Sequence, residues 1–161
     1  MVETTGNFTS AELLDQEESV RLSEFNHELA LDLGALAAEI GLTRELPIAI
    51  SVRIGDWEVF KASLPGTVVE NDGWIQRKAN VVALKHHSTM YERVQAEESG
   101  TDWHQENGVL DETHAIHGGG FPLILDTGEH VGAFIIIGLP QVEDHLLALE
   151  ILKEFINANS Q

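Results

Sequence analysis

The chain has 161 residues, 27 Asp and Glu against 9 Lys and Arg, a formal charge of −18 at pH 7 and no cysteine. The length suits one domain with a core of its own over residues 1–161, and the acidic excess argues against nucleic acid or an anionic membrane surface, which Lys and Arg would have to grip. Without cysteine there is no disulfide framework, thiolate chemistry or Cys-based zinc site.

The N-terminal MVETTGNFTSAELLDQEES is polar and acidic. It lacks the basic start and apolar run of a secretory signal, which points to the cytoplasm. Residues 1–20 read as an acidic arm or an extra helix, able to engage basic or chaperone-type partners. Thr9-Ser10-Ala11-Glu12 has capping-box spacing and predicts a helix start. Leu22, Phe25, Leu29, Leu33, Leu36 and Ile40 recur at steps of three and four, a helical stripe facing a core. Gly41 suits a C-terminal cap. Whether residues 10–41 form one helix, or two with a break near Ser19–Ser23, stays open. Asp15, Glu17 and Glu18 read as a solvated face.

Leu46 to Ile54 predicts a strand, with Pro47 at its start where a missing N–H does least harm. Gly55-Asp56 turns it into a second strand, Trp57 to Ala62. Residues 63–73 form a loop with turn chemistry at Pro65-Gly66, and Asn71 or Asp72 can cap the next helix. That helix is expected from Trp74 to about Val94, with Trp74, Val81, Leu84 and Tyr91 on one face. It carries Arg77, Lys78, Lys85 and Arg93, a basic concentration in an acidic chain. Residues 95–110 are polar and irregular apart from Trp103, and predict a mobile excursion.

The stretch from His114 to His145 predicts strand, glycine-rich corner, strand, turn, strand and the start of a helix. Val131 to Ile137 (VGAFIII) is apolar at consecutive positions, which suits a strand covered on both faces. Asp126 to Glu129 is a turn that pairs it with Phe121–Leu125. Gly118, Gly119 and Gly120 lose much chain entropy on folding, so they suit a corner or a close backbone approach. A last helix is expected from about Pro140 to Ala158. Leu146, Leu149, Leu152, Phe155 and Ile156 form its buried stripe, and Glu143 and Asp144 favour the positive end of its dipole. The element order gives an α+β fold: an antiparallel sheet of about five strands with helices on both faces.

Few catalytic motifs survive inspection. His117-Gly118-Gly119-Gly120 echoes a lipase oxyanion loop, but no G-x-S-x-G elbow accompanies it. No G-x-G-x-x-G or Walker sequence is present, nor H-E-x-x-H, and His86-His87 and His114/His117 are badly spaced for joint ligation, so no metal site is expected. What remains is convergence. The middle helix offers Trp74, Arg77, Lys78 and His87; the glycine corner offers His117, its backbone and Phe121; the last helix offers Asp144 and His145. Aromatic faces, backbone donors and a few cations suit a flat, acidic small ligand. The plainer alternative puts Trp74 in the core, Arg77 and Lys78 in surface ion pairs and His145 in a helix hydrogen bond.

Ordered along the chain, Leu64-Pro65-Gly66-Thr67, Trp74-Ile75-x-Arg77-Lys78-x-Asn80-Val81-Val82, Ser88, His117-Gly118-Gly119-Gly120-Phe121-Pro122, Gly138-Leu139-Pro140-Gln141 and Asp144-His145 resemble a short stand-alone branch of the haem-degrading domain (GlcG/HbpS-like) superfamily. The likeness runs from about Leu22 to Ile156. It implies a three-layer α-β-α fold with a profilin-like antiparallel sheet, and homo-oligomers. It also brings haem as the one candidate cofactor, although no axial-ligand motif stands out and the net charge would repel propionates unless Arg77 and Lys78 offset it. Three functions are carried forward. The first is a cytoplasmic, oligomeric module for an acidic or porphyrin-like ligand, held by Trp74, Arg77, Lys78, His117, Gly118, Gly119, Gly120, Phe121, Asp144 and His145. The others are a non-catalytic assembly protein, and an enzyme with His117 or His145 as general base.

Overall fold

The computed structural model describes residues 5–159. Its elements are α1 (Ser10–Ser19), α2 (His27–Thr43), β1 (Ala49–Ile54), β2 (Trp57–Ser63), α3 (Glu70–Lys85), α4 (Thr89–Ser99), α5 (Trp103–Asn107), β3 (Gly120–Ile124), β4 (His130–Ile137) and α6 (Gln141–Asn159). The strands form one antiparallel sheet in the order β2-β1-β4-β3. The α+β, layered expectation holds with four strands in place of about five. The missing one is the strand expected before the glycine corner. There the chain lies on α3 as a loop, with the Ala115 N–H donating to the Arg77 carbonyl at 3.3 Å.

Strand alternation sorts the two faces. Ile50, Val52, Phe121, Leu123, Phe134 and Ile136 point to one side, where they pack with Leu33 and Ala37 of α2 and Ala148, Ile151 and Leu152 of α6. Ala49, Ala133, Ile135 and Ile137 point to the other, against Ile75, Ala79 and Val82 of α3. The α6 stripe is shifted: Leu149, Leu152 and Phe155 are buried, but Leu146 is 43% exposed and the core takes Leu147, Ala148 and Ile151 instead. No helix of the described residues is long and apolar enough to cross a membrane.

The N-terminal helical region divides. The Thr9 capping box opens α1, which ends at Ser19; α2 starts afresh on an Asn26 cap. Leu22 and Phe25 therefore lie outside any helix, and Leu22 instead bridges to Leu125. Gly41 lies inside α2, buried against Leu64 and Ile48, where a side chain would collide. Residues 10–19 are a docked helix, with Leu13 packed on Met90 and Val94 of α4. Glu17, read as solvated, faces inward: it accepts from His87 Nδ1 at 2.8 Å and from the Ser88 N–H at 3.0 Å. Residues 1–4 of the expected arm lie outside the described residues.

The middle helix is two helices. α3 begins at Glu70 with no side-chain cap, so neither Asn71 nor Asp72 caps it. It ends where His86 turns left-handed (φ +60°), and Ser88 then caps α4 through the Tyr91 N–H. Residues 95–110 are no mobile excursion. α4 runs through Ser99 and α5 comes next, anchored by buried Trp103, whose Nε1–H donates to Glu92 at 2.9 Å.

Candidate functional site

Lys78 is the most unexpected residue of the site. It sits in mid-α3, on the face toward the sheet, and is 1% exposed. Its Nζ donates to the Gly118 carbonyl at 2.7 Å, reaches the Ile136 carbonyl at 3.4 Å and lies 3.5 Å from Asp144 Oδ2. An isolated buried ammonium would be costly, so carbonyls and a carboxylate surround it. Three elements meet at this one cation: α3, the glycine corner and the start of α6. The reading of Lys78 as a surface ion pair is thereby corrected.

The glycine corner is shaped to allow that meeting. Gly119 has φ +127°, and a Cβ there would strike the Ile136 carbonyl oxygen and come within 2.9 Å of Lys78 Nζ. The Gly118 N–H donates to Gln141 Oε1 at 3.1 Å, and the Gly120 N–H to Thr89 Oγ1 at 3.0 Å. The corner is thus tied to α6 and to α4. Gly119→Ala should lower the unfolding free energy by about 2–4 kcal/mol, combining backbone strain with overpacking. Gly100, also left-handed but with open space at its Cβ position, should cost only about 1–2 kcal/mol when changed to Ala. Urea unfolding of both variants checks the difference.

Asp144 completes the floor. Its Oδ1 accepts from the Leu139 N–H at 3.0 Å, and Oδ2 has no hydrogen-bond partner among the described residues. Burial pushes its carboxyl up to about 7, although Lys78 and the Leu139 and Gly138 backbone pull the other way. A carboxylate that holds or loses a proton near neutrality, beside a buried cation, can accept, donate or share a proton with a bound molecule.

Above this floor lies a hollow of about 160 Å³ lined by Trp74, Lys78, His117, Ile137, Leu139, Pro140, Gln141 and Asp144. The Trp74 and His117 rings meet edge to face, 5.3 Å between centroids at 90°. Arg77 lies over the other part of the wall, 4.1 Å from the Trp74 ring centroid, and its guanidinium donates to the Asp111 carbonyl at 2.8 Å and to Asp111 Oδ2 at 3.0 Å. Arg77 therefore braces Trp74 from outside the hollow. Of the residues expected to converge, Trp74, Lys78, His117 and Asp144 line it, and Gly118 and Gly119 adjoin it through Lys78. Residues 95–110 contribute no wall.

Phe121 and His145 do not belong to this hollow. β3 alternation sends Phe121 through the sheet into the α2/α6 core, where it is fully buried. His145 comes one helical step after Asp144 and faces the same core. Its ring stacks on Phe121 at 4.9 Å and leans on Phe8, and Nε2 contacts Gln16 Oε1 at 2.6 Å. Burial lowers its pKa to about 4, so it is a neutral core residue. The general-base expectation for His145 fails for want of access. His87, also expected at the convergence, pairs with Glu17 on the α1 side instead.

A second and larger hollow of about 610 Å³ has no counterpart among the sequence expectations. It opens between the solvent side of α3 and the ends of β1 and β4, lined by Arg53, Gln76, Asn80, Ala83, His114 and His130 with their neighbours. Its lining includes the small residues Ala79, Ala83 and Ala133, and no sequence motif marks it. Among the described residues no group of three or more His, Asp or Glu is placed to hold a metal ion.

A four-stranded antiparallel sheet between helical layers, with a glycine corner folded over a buried ion pair, makes this a small layered α+β domain. The chain belongs to the HbpS-like family, whose model, described as haem degrading protein HbpS-like, matches residues 25–153. A UPF0303 protein of Streptomyces avermitilis is 35% identical over 156 residues, 97% of this chain and 96% of that one. The crystal structure of the Ybr137w protein superposes with a TM-score of 0.83 at 29% identity, over 92% of this chain and 89% of that one. The structure of a PduOC–haem complex shares the fold, with a TM-score of 0.69 at 19% identity over 83% of this chain and 95% of that one.

Proposed function

We propose that this protein is a cytoplasmic, homo-oligomeric module that binds a small carboxylic acid in the hollow over Lys78 and Asp144. The observation that carries the reading is the buried pair itself: a cation and a proton-holding carboxyl, each 1% exposed, flooring a hollow walled by Trp74 and His117. With Asp144 protonated the floor carries the charge of Lys78 alone and attracts an anion; with Asp144 ionised the pair is neutral and that attraction is lost. Apolar side chains exposed at Trp57, Val68, Val69 and Leu110 supply surface for self-association.

Probe carboxylates such as pyruvate and benzoate, titrated while Trp fluorescence is monitored, test this. Affinity should rise as pH falls from 8 through about 7, and the signal should vanish in Trp74→Phe. Absence of saturable binding to any small carboxylate over that pH range would contradict the proposal.

A second reading is a porphyrin-like ligand, supported by the HbpS-like family and the PduOC–haem complex. The hollow of about 160 Å³ does not fit such a group, since ligand pockets of ordinary size start at roughly 300 Å³. The larger hollow has the room, an arginine and two imidazoles. Haem bound there would bring an iron that takes an imidazole ligand. Of the chain's own residues, His130 fits that role, because its buried Nε2 has no hydrogen-bond partner among the described residues.

A further inference from the structure

We infer that Lys78 is a nucleophile, and that the hollow above it takes small 2-oxo acids and holds their carbonyl carbon as an imine on Lys78 Nζ. This rests on the small-acid reading of the same hollow and narrows it to acids with an adjacent carbonyl.

The placement of Lys78 carries the inference. A lysine that serves only as a charge keeps its ammonium in water, whereas Lys78 is 1% exposed and lines a hollow. Three oxygens surround its Nζ: the Gly118 carbonyl at 2.7 Å, the Ile136 carbonyl at 3.4 Å and Asp144 Oδ2 at 3.5 Å. Of these, only the carboxylate takes up a proton in water. Moving one from Nζ to Asp144 leaves an amine beside a carboxylic acid. That removes two charges from a buried site, and their desolvation cost with them. The Asp144 carboxyl, raised by burial to about 7, agrees with an acceptor that takes a proton near neutrality. A desolvated lysine is how proteins make an amine reactive toward carbonyl compounds. Lys61 is tied to Asp72 at the surface at 2.6 Å and Lys153 is exposed, so neither shares this environment.

The step balances within the pair. The Lys78 ammonium passes a proton to the Asp144 carboxylate. The freed lone pair attacks the carbonyl carbon as the C=O electrons move to oxygen. An N–H proton then moves to that oxygen and gives a carbinolamine. Asp144 returns its proton to the hydroxyl, the C–O bond breaks, water leaves, and the nitrogen lone pair closes the C=N bond. Ammonium and carbonyl have become iminium and water, and Asp144 is again a carboxylate. The iminium keeps one N–H and one positive charge, which suit the Gly118 carbonyl and Asp144 already in place.

Size and lining set the ligand class. A hollow of about 160 Å³ has the bulk of roughly five waters, which a three- or four-carbon acid fills. Ile137, Leu139 and Pro140 give an apolar wall for a short alkyl group. The carboxylate is favoured by the start of α6, a 19-residue helix that opens on the hollow at Pro140 and Gln141. Asp144 Oδ2, buried in the same floor and without a hydrogen-bond partner among the described residues, is placed to move the protons.

Pyruvate with sodium cyanoborohydride, incubated with the full chain at neutral pH, tests the imine, because reduction fixes it as an adduct read by intact mass and peptide mapping. One adduct on Lys78 is expected, formed at least about tenfold faster than on Lys61 or Lys153, since the hollow presents the carbonyl to one amine. Lactate has the same carboxylate and no carbonyl, so it should give no adduct and should slow the labelling by pyruvate. Asp144→Asn, close in shape to the wild type, should leave Lys78 as the site and slow its labelling roughly tenfold or more. A wild-type rate in that variant would remove Asp144 from the step, and labelling that lactate does not slow would place the reaction outside the hollow. If lactate or benzoate moves the Trp fluorescence while pyruvate labels only Lys61, Lys153 or the N-terminal amine, the imine is wrong and the small-acid reading stands. If no carboxylate binds and Lys78 stays unlabelled, both fall.

Discussion

Lys78→Ala should lower the unfolding free energy by about 3–5 kcal/mol, which for a chain of this size is roughly 6–20 °C in melting temperature. The loss has two sources. The Gly118 carbonyl loses a donor at 2.7 Å, and Asp144 is left buried without its cation. Since Lys78 joins α3 to the glycine corner, the corner should also loosen, with faster amide exchange at Gly118–Gly120 than at the distant β1–β2 hairpin. Asp144→Leu placed on Lys78→Met should recover part of the loss, because an apolar pair carries no desolvation cost; a coupling above about 1 kcal/mol between the two sites is expected. Urea unfolding of the two single variants and the double variant measures it. A Lys78→Ala variant as stable as the wild type would mean that the ammonium is solvated.

The second large effect is on pH dependence. Asp144 and His145 are neighbours in sequence, yet they titrate against opposite faces of the interior and shift stability in opposite directions. The Asp144 carboxyl is raised to about 7 in the folded chain, from 3.8. Its contribution is fully present below about pH 4 and is lost as pH rises through about 7. The His145 pKa is lowered to about 4, from 6.5. Its contribution is present above about pH 6.5 and is lost as pH falls through about 4. Between pH 4 and 6.5 each amounts to about 1.4 kcal/mol per pH unit, and the two cancel. Wild-type stability should therefore hide both groups. Asp144→Asn should gain on the wild type as pH rises from 4 to 7, and His145→Gln should gain on it as pH falls from 6.5 to 4. Parallel wild-type and variant curves across these windows would show that neither group is perturbed.

Much of the architecture is legible in the sequence because local signals agree with the tertiary result. The Thr9–Glu12 capping box, the apolar VGAFIII run and the turn at 126–129 each specify an element without help from distant residues. The meeting of Trp74, Lys78, His117 and Asp144 can be anticipated because chemically distinctive residues cluster at three places in an acidic chain. What each side chain does there cannot. Arg77 and Lys78 are adjacent, but one helical step separates a surface brace from a buried cation, and the carbonyls that bury Lys78 come from 40 and 58 residues away. Phe121 and His145 face away from the expected hollow because strand parity and helix rotation depend on a register that a glycine corner obscures. The α3–α4 break has no Gly or Pro to announce it; His86 takes the left-handed turn itself. Trp103 looks like a lone aromatic in a loop because its partner, Glu92, reads as a surface acid.

The most direct measurement is the ¹³C resonance of the Asp144 carboxyl, tracked through a pH titration of the full chain with and without a saturating small carboxylate. The structure predicts a midpoint near 7 in the free protein, moved upward when the added acid shares the Asp144 proton over Lys78. An ordinary aspartate midpoint near 4, unmoved by any carboxylate, would leave the hollow as a packing feature and contradict the proposed binding role.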